Sequence, residues 1–315
     1  MNRLIASNRT ARYAIVIASD ATEQERYAAD ELRYYLERMT SAPIGVTADV
    51  PADGRYFAVG ASPSAALDVE DSALGEDGFI VKTVGEAIAV TGGKRGVIYG
   101  VYELLERLGC RFFTAGSEKI PTEPNLEIPD IETRQVPVLE FRDHNYYEVT
   151  SQKRFAVKLR LNGALAAPPE KIGGHISYAW FCHSFGMLVP EETYGKTHPE
   201  DFSLVDGKRV PDPRFCQLCL TNPAVLEIAV ESVRAALKAH PNARIISITQ
   251  NDNGSNCQCE ACRASDEAMH SPSGTMLRFV NAIAERLEPE FPDVIFDTFA
   301  YAYTRPVPIG VRPRK

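Results

Sequence analysis

The run Ile245-Ile246-Ser247-Ile248-Thr249-Gln250-Asn251-Asp252-Asn253 decides how this chain is read. Its first half is β-branched and too apolar to lie on an edge, so Arg244–Thr249 is expected to be a buried strand. Its second half ends abruptly in amides and one carboxylate. A buried parallel strand that releases polar side chains at its C-terminal end is how an α/β barrel presents chemistry at its rim. Shortly afterwards, Cys257-Gln258-Cys259-Glu260-Ala261-Cys262 places three thiols within six residues. Together the two motifs point to a site rim with a thiol-rich loop beside it.

Outward from this strand, strand and helix patterns alternate, which predicts a parallel sheet. Asn222-Pro223 opens a helix to Ala239, with Pro favourably placed in its first turn. Ser273 or Thr275 caps a helix through Leu287, and Val294–Tyr303 is a further strand. Upstream, Val138–Arg142 is the first strand of this half, leading into Asp143-His144-Asn145. A helix around Gln152–Lys158 follows, and the second strand ends near Asn162. From Pro168 to about Gln217 the chain is irregular and rich in His, Trp, Phe and Pro.

The first 120 residues form a separate small α/β layer. Tyr13–Ala18 is a strand. Thr22 caps the next helix with Glu25 at capping-box spacing, and Tyr27, Ala28, Leu32, Tyr35, Leu36 and Met39 recur at helical period. Strands follow at Tyr56–Val59, Phe79–Thr83 and Ala87–Thr91. A second helix has Ile98, Val101, Tyr102, Leu105 and Leu108 on its apolar face. Pro121, Pro124, Pro129 and Pro137 mark residues 121–137 as an extended linker. The expected organisation is therefore an accessory domain over 1–120, a linker over 121–137 and a barrel-like domain over 138–315.

Composition narrows the function classes. The chain has 315 residues, 44% of them hydrophobic, so a substantial core is available. A formal net charge of -8 argues against nucleic acid or an anionic membrane as partner, because phosphate binding needs a basic face. No window approaches a membrane span, and the N-terminus lacks a signal-peptide core. Localisation is left open between the cytoplasm and export with a leader removed. Seven cysteines, odd in number and bunched, fit reduced thiols with a metal better than a disulfide framework.

Thiolates at this spacing can share one tetrahedral Zn²⁺, each at about 2.3 Å, given a fourth ligand. A local disulfide with a free thiol is the alternative. The crowd of His175, Tyr178, Trp180, Phe181, His183 and Phe185 suits sugar rings, which stack on aromatic faces and offer hydroxyls to imidazoles. Arg142, His144 and Asn145 at the first strand end, Asn162 at the second and Tyr301 at the fifth can line the same pocket. Taken singly, each fits a packing or loop-anchoring role better than a binding one. Gly92-Gly93-Lys94 lacks phosphate-loop spacing and is a tight turn before a helix.

Two parts of the chain resemble known families. Thr91-Gly92-Gly93-Lys94-Arg95-Gly96-Val97-Ile98-Tyr99-Gly100-Val101-Tyr102-Glu103-Leu104-Leu105-Glu106, with Gly109-Cys110-Arg111-Phe112-Phe113, resembles the domain preceding the barrel in α-glucuronidases and β-hexosaminidases. The remainder resembles the domain-of-unknown-function 4838 family, whose members include glycoside hydrolase family 163. The residues that carry this are His198-Pro199-Glu200, Leu218-Cys219-Leu220-Thr221-Asn222-Pro223, Gln250-Asn251-Asp252-Asn253, the Cys-x-Cys-x-x-Cys run, Ser273-Gly274, Phe279-Val280-Asn281 and Ala300-Tyr301.

The resemblance implies a TIM-type (β/α) barrel, here truncated after about five of the eight strands, behind a small α/β sandwich-like domain. It implies glycoside hydrolysis of N-acetylhexosamine-containing glycans by an acid or substrate-assisted mechanism, with no catalytic cofactor. Asp252 is then the catalytic carboxylate. From their residue types and positions, Arg142, His144, Asn145, Asn162, His175, Trp180, His183, Asn251 and Tyr301 are expected to bind substrate. Cys219 joins Cys257, Cys259 and Cys262 around a structural zinc, with Cys216 and His270 as other candidates for the fourth place. Two other functions stay open: a non-catalytic glycan-binding protein, and a protein centred on the zinc or thiols. Oligomeric state is not legible. With three barrel strands missing, little activity is expected from this chain alone.

Overall fold

The computed structural model describes residues 2–212 and 214–314. They fall into two compact units that meet between Ile176 and Ser177.

The first unit is built on six strands: β1 (Ala14–Val16), β2 (Val46–Thr47), β3 (Tyr56–Val59), β4 (Phe79–Val84), β5 (Ala87–Gly92) and β6 (Glu132–Gln135). Their order is β6-β4-β5-β3-β1-β2. The pairs β5–β3, β3–β1 and β1–β2 are parallel, whereas β4 and β6 add on antiparallel. Helices α1 (Glu23–Thr40) and α2 (Gly96–Arg107) pack with Ile15, Phe57, Val59, Ile88 and Val90 in one core. Residues of opposite strand parity, Val16, Tyr56, Ala58, Ala87 and Ala89, form a second cluster with Val69. Covering both faces explains why β3 and β5 are apolar at nearly every position.

The α1 capping box expected from Thr22 and Glu25 is present in both directions. The glycine that opens α2 answers to close packing. A Cβ on Gly96 would lie 1.9 Å from the Gly78 carbonyl oxygen. The Arg95 and Gly96 N–H groups both donate to the Glu76 carbonyl, so this helix start is already satisfied from within the protein.

Residues 121–137 do not run free as a linker. Glu127–Ile128 pairs with Arg3–Leu4, and β6 pairs with β4 along its whole length. Proline is tolerated at strand ends and sheet edges, and both short strands lie between the prolines. Val138–Arg142 is not a strand, and Val138 is 98% exposed. The residues beyond it pack onto this unit: Arg154 pairs with Glu31, Arg160 with Glu103 and Glu106, and Asn162 bonds Asp77. These charged contacts carry the division of the chain to residue 176.

In the second unit, β7 (Ile245–Ser247) pairs in parallel with β8 (Ile295–Asp297). On its other side β7 meets Tyr178–Trp180, through the parallel bridge Tyr178–Ile245 and a Ser247 N–H that donates to the Trp180 carbonyl at 3.0 Å. Helix α3 (Pro223–Ala239) lies between the first and second of these segments in sequence. Helices α4 (Glu260–Ala268) and α5 (Pro272–Leu287) lie between the second and third. Val225, Val230, Val233, Phe279, Ile283 and Leu287 pack with Ile246 and Ile248 in one core. Among the described residues of this unit the parallel set comprises three segments.

Three local expectations differ. Ser271, not Ser273 or Thr275, caps α5, because Pro272 takes the first helical position. The thiol run does not remain a loop: Cys259 is the N-cap of α4. The last strand stops at Asp297, and Tyr301 caps a short turn over Ala302–Thr304.

Two substitutions separate these roles. Thr22→Ala should cost about 1 kcal/mol in denaturant melts, the usual worth of an N-cap. Gly96→Ala should cost several times more, because its Cβ meets backbone that cannot rotate away.

Candidate active-site rim and thiol cluster

The polar end of β7 is buried, so each of its groups needs a partner inside the protein. Thr249 and Gln250 are fully buried and Asn251 is 8% exposed. Thr249 exchanges bonds with Ser184: its N–H reaches Ser184 Oγ at 2.9 Å, and its carbonyl accepts from the Ser184 and Phe185 N–H groups. Gln250 Nε2 donates to the Tyr301 carbonyl at 2.6 Å, and its Oε1 accepts from Thr304 Oγ1 at 3.1 Å. The Gln250 carbonyl accepts from His183 Nδ1 at 2.7 Å, which places that proton on Nδ1. Asn251 N–H donates to Gln217 Oε1 at 2.9 Å, and its side-chain amide donates to the Cys216 carbonyl at 3.0 Å. Three loops are thereby drawn to one strand end.

Asp252 follows, exposed, and accepts a hydrogen bond from the Tyr301 hydroxyl at 2.8 Å. That bond to a carboxylate is the main cause of the Tyr301 phenol being raised above its ordinary range. The rings of His183, Phe299 and Tyr301 stand together, with centroids 5.4 Å (His183–Phe299), 6.2 Å (His183–Tyr301) and 6.2 Å (Phe299–Tyr301) apart. Cys182 and His183 are consecutive left-handed residues, with φ of 62° and 42°. Non-glycine residues hold such a conformation only when the surroundings impose it, and it is common at binding sites. Trp180 behaves differently: its side chain packs against the core of the second unit.

Asp297 was not singled out in the sequence, although a carboxylate inside the run Val294-Ile295-Phe296-Asp297-Thr298-Phe299 was the available signal. Burial raises its pKa. The Tyr178 hydroxyl donates to Oδ2 at 3.2 Å, while Oδ1 is buried with no hydrogen-bond partner among the described residues. The Cys182 thiol is pushed up first by burial, and the charges of Asp252 and Asp297 add to the shift.

The remaining expected residues lie in the first unit. Asn162 is fully buried; its amide donates to Asp77 Oδ2 and to the Glu140 carbonyl, and its oxygen accepts from Arg142 N–H. The Arg142 side chain donates to the carbonyls of Arg160 and Leu139 and lies 3.4 Å from Asp77. These two residues therefore brace a buried polar network that also contains Arg95. His144 Nδ1 accepts from Tyr146 N–H, Asn145 is exposed, and His175 Nδ1 donates to the Pro168 carbonyl.

The four expected thiols converge. The sulfurs of Cys219, Cys257, Cys259 and Cys262 all lie within 4.8 Å of one another, and no two of them are joined in a disulfide. Cys219 is pushed up to about 11, first by its hydrogen bond to Cys257 and also by burial; hydrogen bonds from Cys219 and Cys262 hold Cys257 well below the usual thiol range. Cys216 is not part of the cluster and His270 is exposed.

Comparison with known proteins assigns the chain to families. The family described as "Domain of unknown function (DUF4838)" matches residues 112–315, and "Glycosyl hydrolase family 67 N-terminus" matches residues 3–104. No curated protein matches the chain. Among solved structures, a family GH115 4-O-methyl-α-glucuronidase with specificity for decorated arabinogalactans is 15% identical with a TM-score of 0.52, over 93% of this chain and 41% of that one. An N-acetyl-β-hexosaminidase from Streptomyces plicatus is 14% identical with a TM-score of 0.47, over 95% of this chain and 64% of that one. A GH20 β-N-acetylhexosaminidase from Streptomyces coelicolor A3(2) is 15% identical with a TM-score of 0.47, again over 95% and 64%. The chain thus spans less than two thirds of each of these proteins. The likeness to the α-glucuronidase is one of fold.

Asp297 generates a pH prediction. Its folded-state pKa is raised above the ordinary 3.8, so its favourable contribution is complete below that value and is lost as pH rises through the folded pKa. Asp297→Asn cannot ionise. It should therefore lose less stability than the parent between acid and neutral pH in urea melts. An identical pH dependence in the two proteins would contradict the assignment.

Proposed function

The chain belongs to the DUF4838 family, and from that premise we propose that it is a glycoside hydrolase-like protein acting on N-acetylhexosamine-containing glycans, with Asp252 as its central carboxylate. The observation that carries the reading is the exposed Asp252 carboxylate, bonded by Tyr301, whose ring stands with those of His183 and Phe299. Sugar rings stack on such faces, and an exposed carboxylate held in one orientation suits charge stabilisation in the transition state. The fold shared with an α-glucuronidase supports the same class, as does the glycosyl hydrolase match over residues 3–104. We propose further that the parallel segments belong to a TIM-type barrel, with Asp252 on its rim.

In the substrate-assisted form of the reaction, the acetamido carbonyl oxygen bonds to the anomeric carbon as the glycosidic C–O bond breaks. The leaving oxygen takes a proton, and water then opens the cyclic intermediate. Asp252 holds the acetamido N–H and balances the positive charge that develops there. Tyr301 fixes the carboxylate for this task. Asp297, whose pKa is raised by burial, is proposed as the second carboxylate of the reaction. His183 and Tyr301 face the sugar; Asn251 acts through its bonds to Gln217 and Cys216. Trp180 completes the proposed binding set of the second unit, whereas Arg142 and Asn162 serve as braces within the first. No cofactor enters the reaction. The four thiols are assigned to a structural Zn²⁺, since four thiolates leave such an ion no open position.

The test is hydrolysis of an aryl N-acetyl-β-glucosaminide by the protein at its natural length. Asp252→Asn should lower kcat by about 10²–10⁴-fold with the circular dichroism spectrum unchanged. Unchanged turnover would remove Asp252 from the mechanism. Quenching of the single tryptophan by N-acetylglucosamine oligomers with no hydrolysis would instead mark a glycan-binding protein.

A further inference from the structure

We infer that the tetrathiolate zinc centre has a task at the rim: through the segment Cys216–Cys219 it holds the loop that presents Asp252. The inference rests on reading the four cysteines as a metal site, and the geometry of that site comes first. Four sulfurs around one zinc at about 2.3 Å form a tetrahedron with edges of about 3.8 Å. Here Cys219 Sγ lies 3.7 Å from Cys259 Sγ and 3.9 Å from Cys262 Sγ, close to that spacing before any ion is placed.

The surroundings suit thiolates. Leu204 N–H donates to Cys257 Sγ at 3.3 Å, and Thr221 Oγ1 lies 3.1 Å from Cys262 Sγ. Four thiolates and one Zn²⁺ leave two negative charges, which donors of this kind offset. Cys219, Cys257 and Cys262 are buried, which gives such a centre little contact with solvent.

The connection to the rim is short. Cys219 is a ligand, and Gln217 stands two residues before it. Gln217 is 1% exposed and its side chain is spent entirely on the Asp252 loop. Its Nε2 lies 2.9 Å from the Asn251 carbonyl, 3.0 Å from the Asn253 carbonyl and 2.9 Å from Asn253 Oδ1; its Oε1 accepts from Asn251 N–H at 2.9 Å. The adjoining Cys216 carbonyl accepts from the side-chain amides of Asn251 and Asn253. The loop leaves this clamp and ends at Cys257, another ligand. Both ends of the Asp252 loop are thus tied to Cys216–Cys219, one by amide hydrogen bonds and the other by the metal. Gln217 is a positioning residue, acting on Asp252 through Asn251 and Asn253.

Elemental analysis and amide hydrogen exchange test the two parts separately. The purified protein should contain one zinc per chain. Absence of zinc, or iron in its place, would overturn the premise. Stripping the metal from the native protein with a strong chelator should speed exchange at Asn251 and Asn253 by about tenfold or more, as expected when a local clamp opens. Zinc present at full occupancy, with exchange unchanged after its removal, would overturn the coupling while leaving the metal site intact. Cys259→Ala should lose its zinc and exchange fast at Asn251 and Asn253, whereas Cys259→His, which keeps a ligand, should retain zinc and restore slow exchange. Gln217→Leu should keep its zinc and still exchange fast. Should that variant not fold, the chelation experiment on the unsubstituted protein decides the matter alone.

Discussion

The second unit depends on the burial of a polar strand end. Thr249, Gln250 and Asn251 leave water at the tip of β7, and a buried amide without partners costs more than most single contacts return. The protein meets that demand by bringing a different loop to each residue. Ser184 comes to Thr249, the Tyr301–Thr304 turn and His183 come to Gln250, and Cys216–Gln217 comes to Asn251. The rim is the by-product of this satisfaction, because the loops summoned by the amides also carry the rings and the carboxylate.

The first unit follows the same logic with charge. Asp77, Arg95, Arg142 and Asn162 form one network in which the buried guanidinium of Arg95 is paired and the Asn162 amide is engaged on both sides. Breaking one partner of such a network leaves an uncompensated buried group, so these residues are held together by the cost of separation. That is why the irregular residues after Val138 belong with the first unit, although they share no strand ladder with its sheet.

Much of the fold was legible residue by residue. The capping box at Thr22 and Glu25, the apolar stripe of α1, the strands β3 to β5 and the helix opened by Asn222-Pro223 follow from local rules of spacing and capping, and the structure keeps them. Local rules misled where partners decide. The prolines of 121–137 suggested a free linker, but edge pairing made strands between them. Val294–Tyr303 carried β-rich composition throughout, yet only Ile295–Asp297 found a partner, and Gln250 drew Tyr301 into a turn instead.

Of the candidate site, the sequence by itself determined which chemical groups were on hand: one carboxylate among amides, aromatic rings in a long loop, and cysteines at ligand spacing. Those are properties of residue type and short separation. Only the tertiary structure decided which of them meet. It joined Tyr301 to Asp252 across 49 positions and Cys219 to Cys259 across 40, and kept Arg142 and Asn162 as braces in another unit. It also gave roles to Asp297 and Gln217, which come from burial and from partners distant in sequence. Burial is a property of the whole packed chain, and no window of sequence contains it.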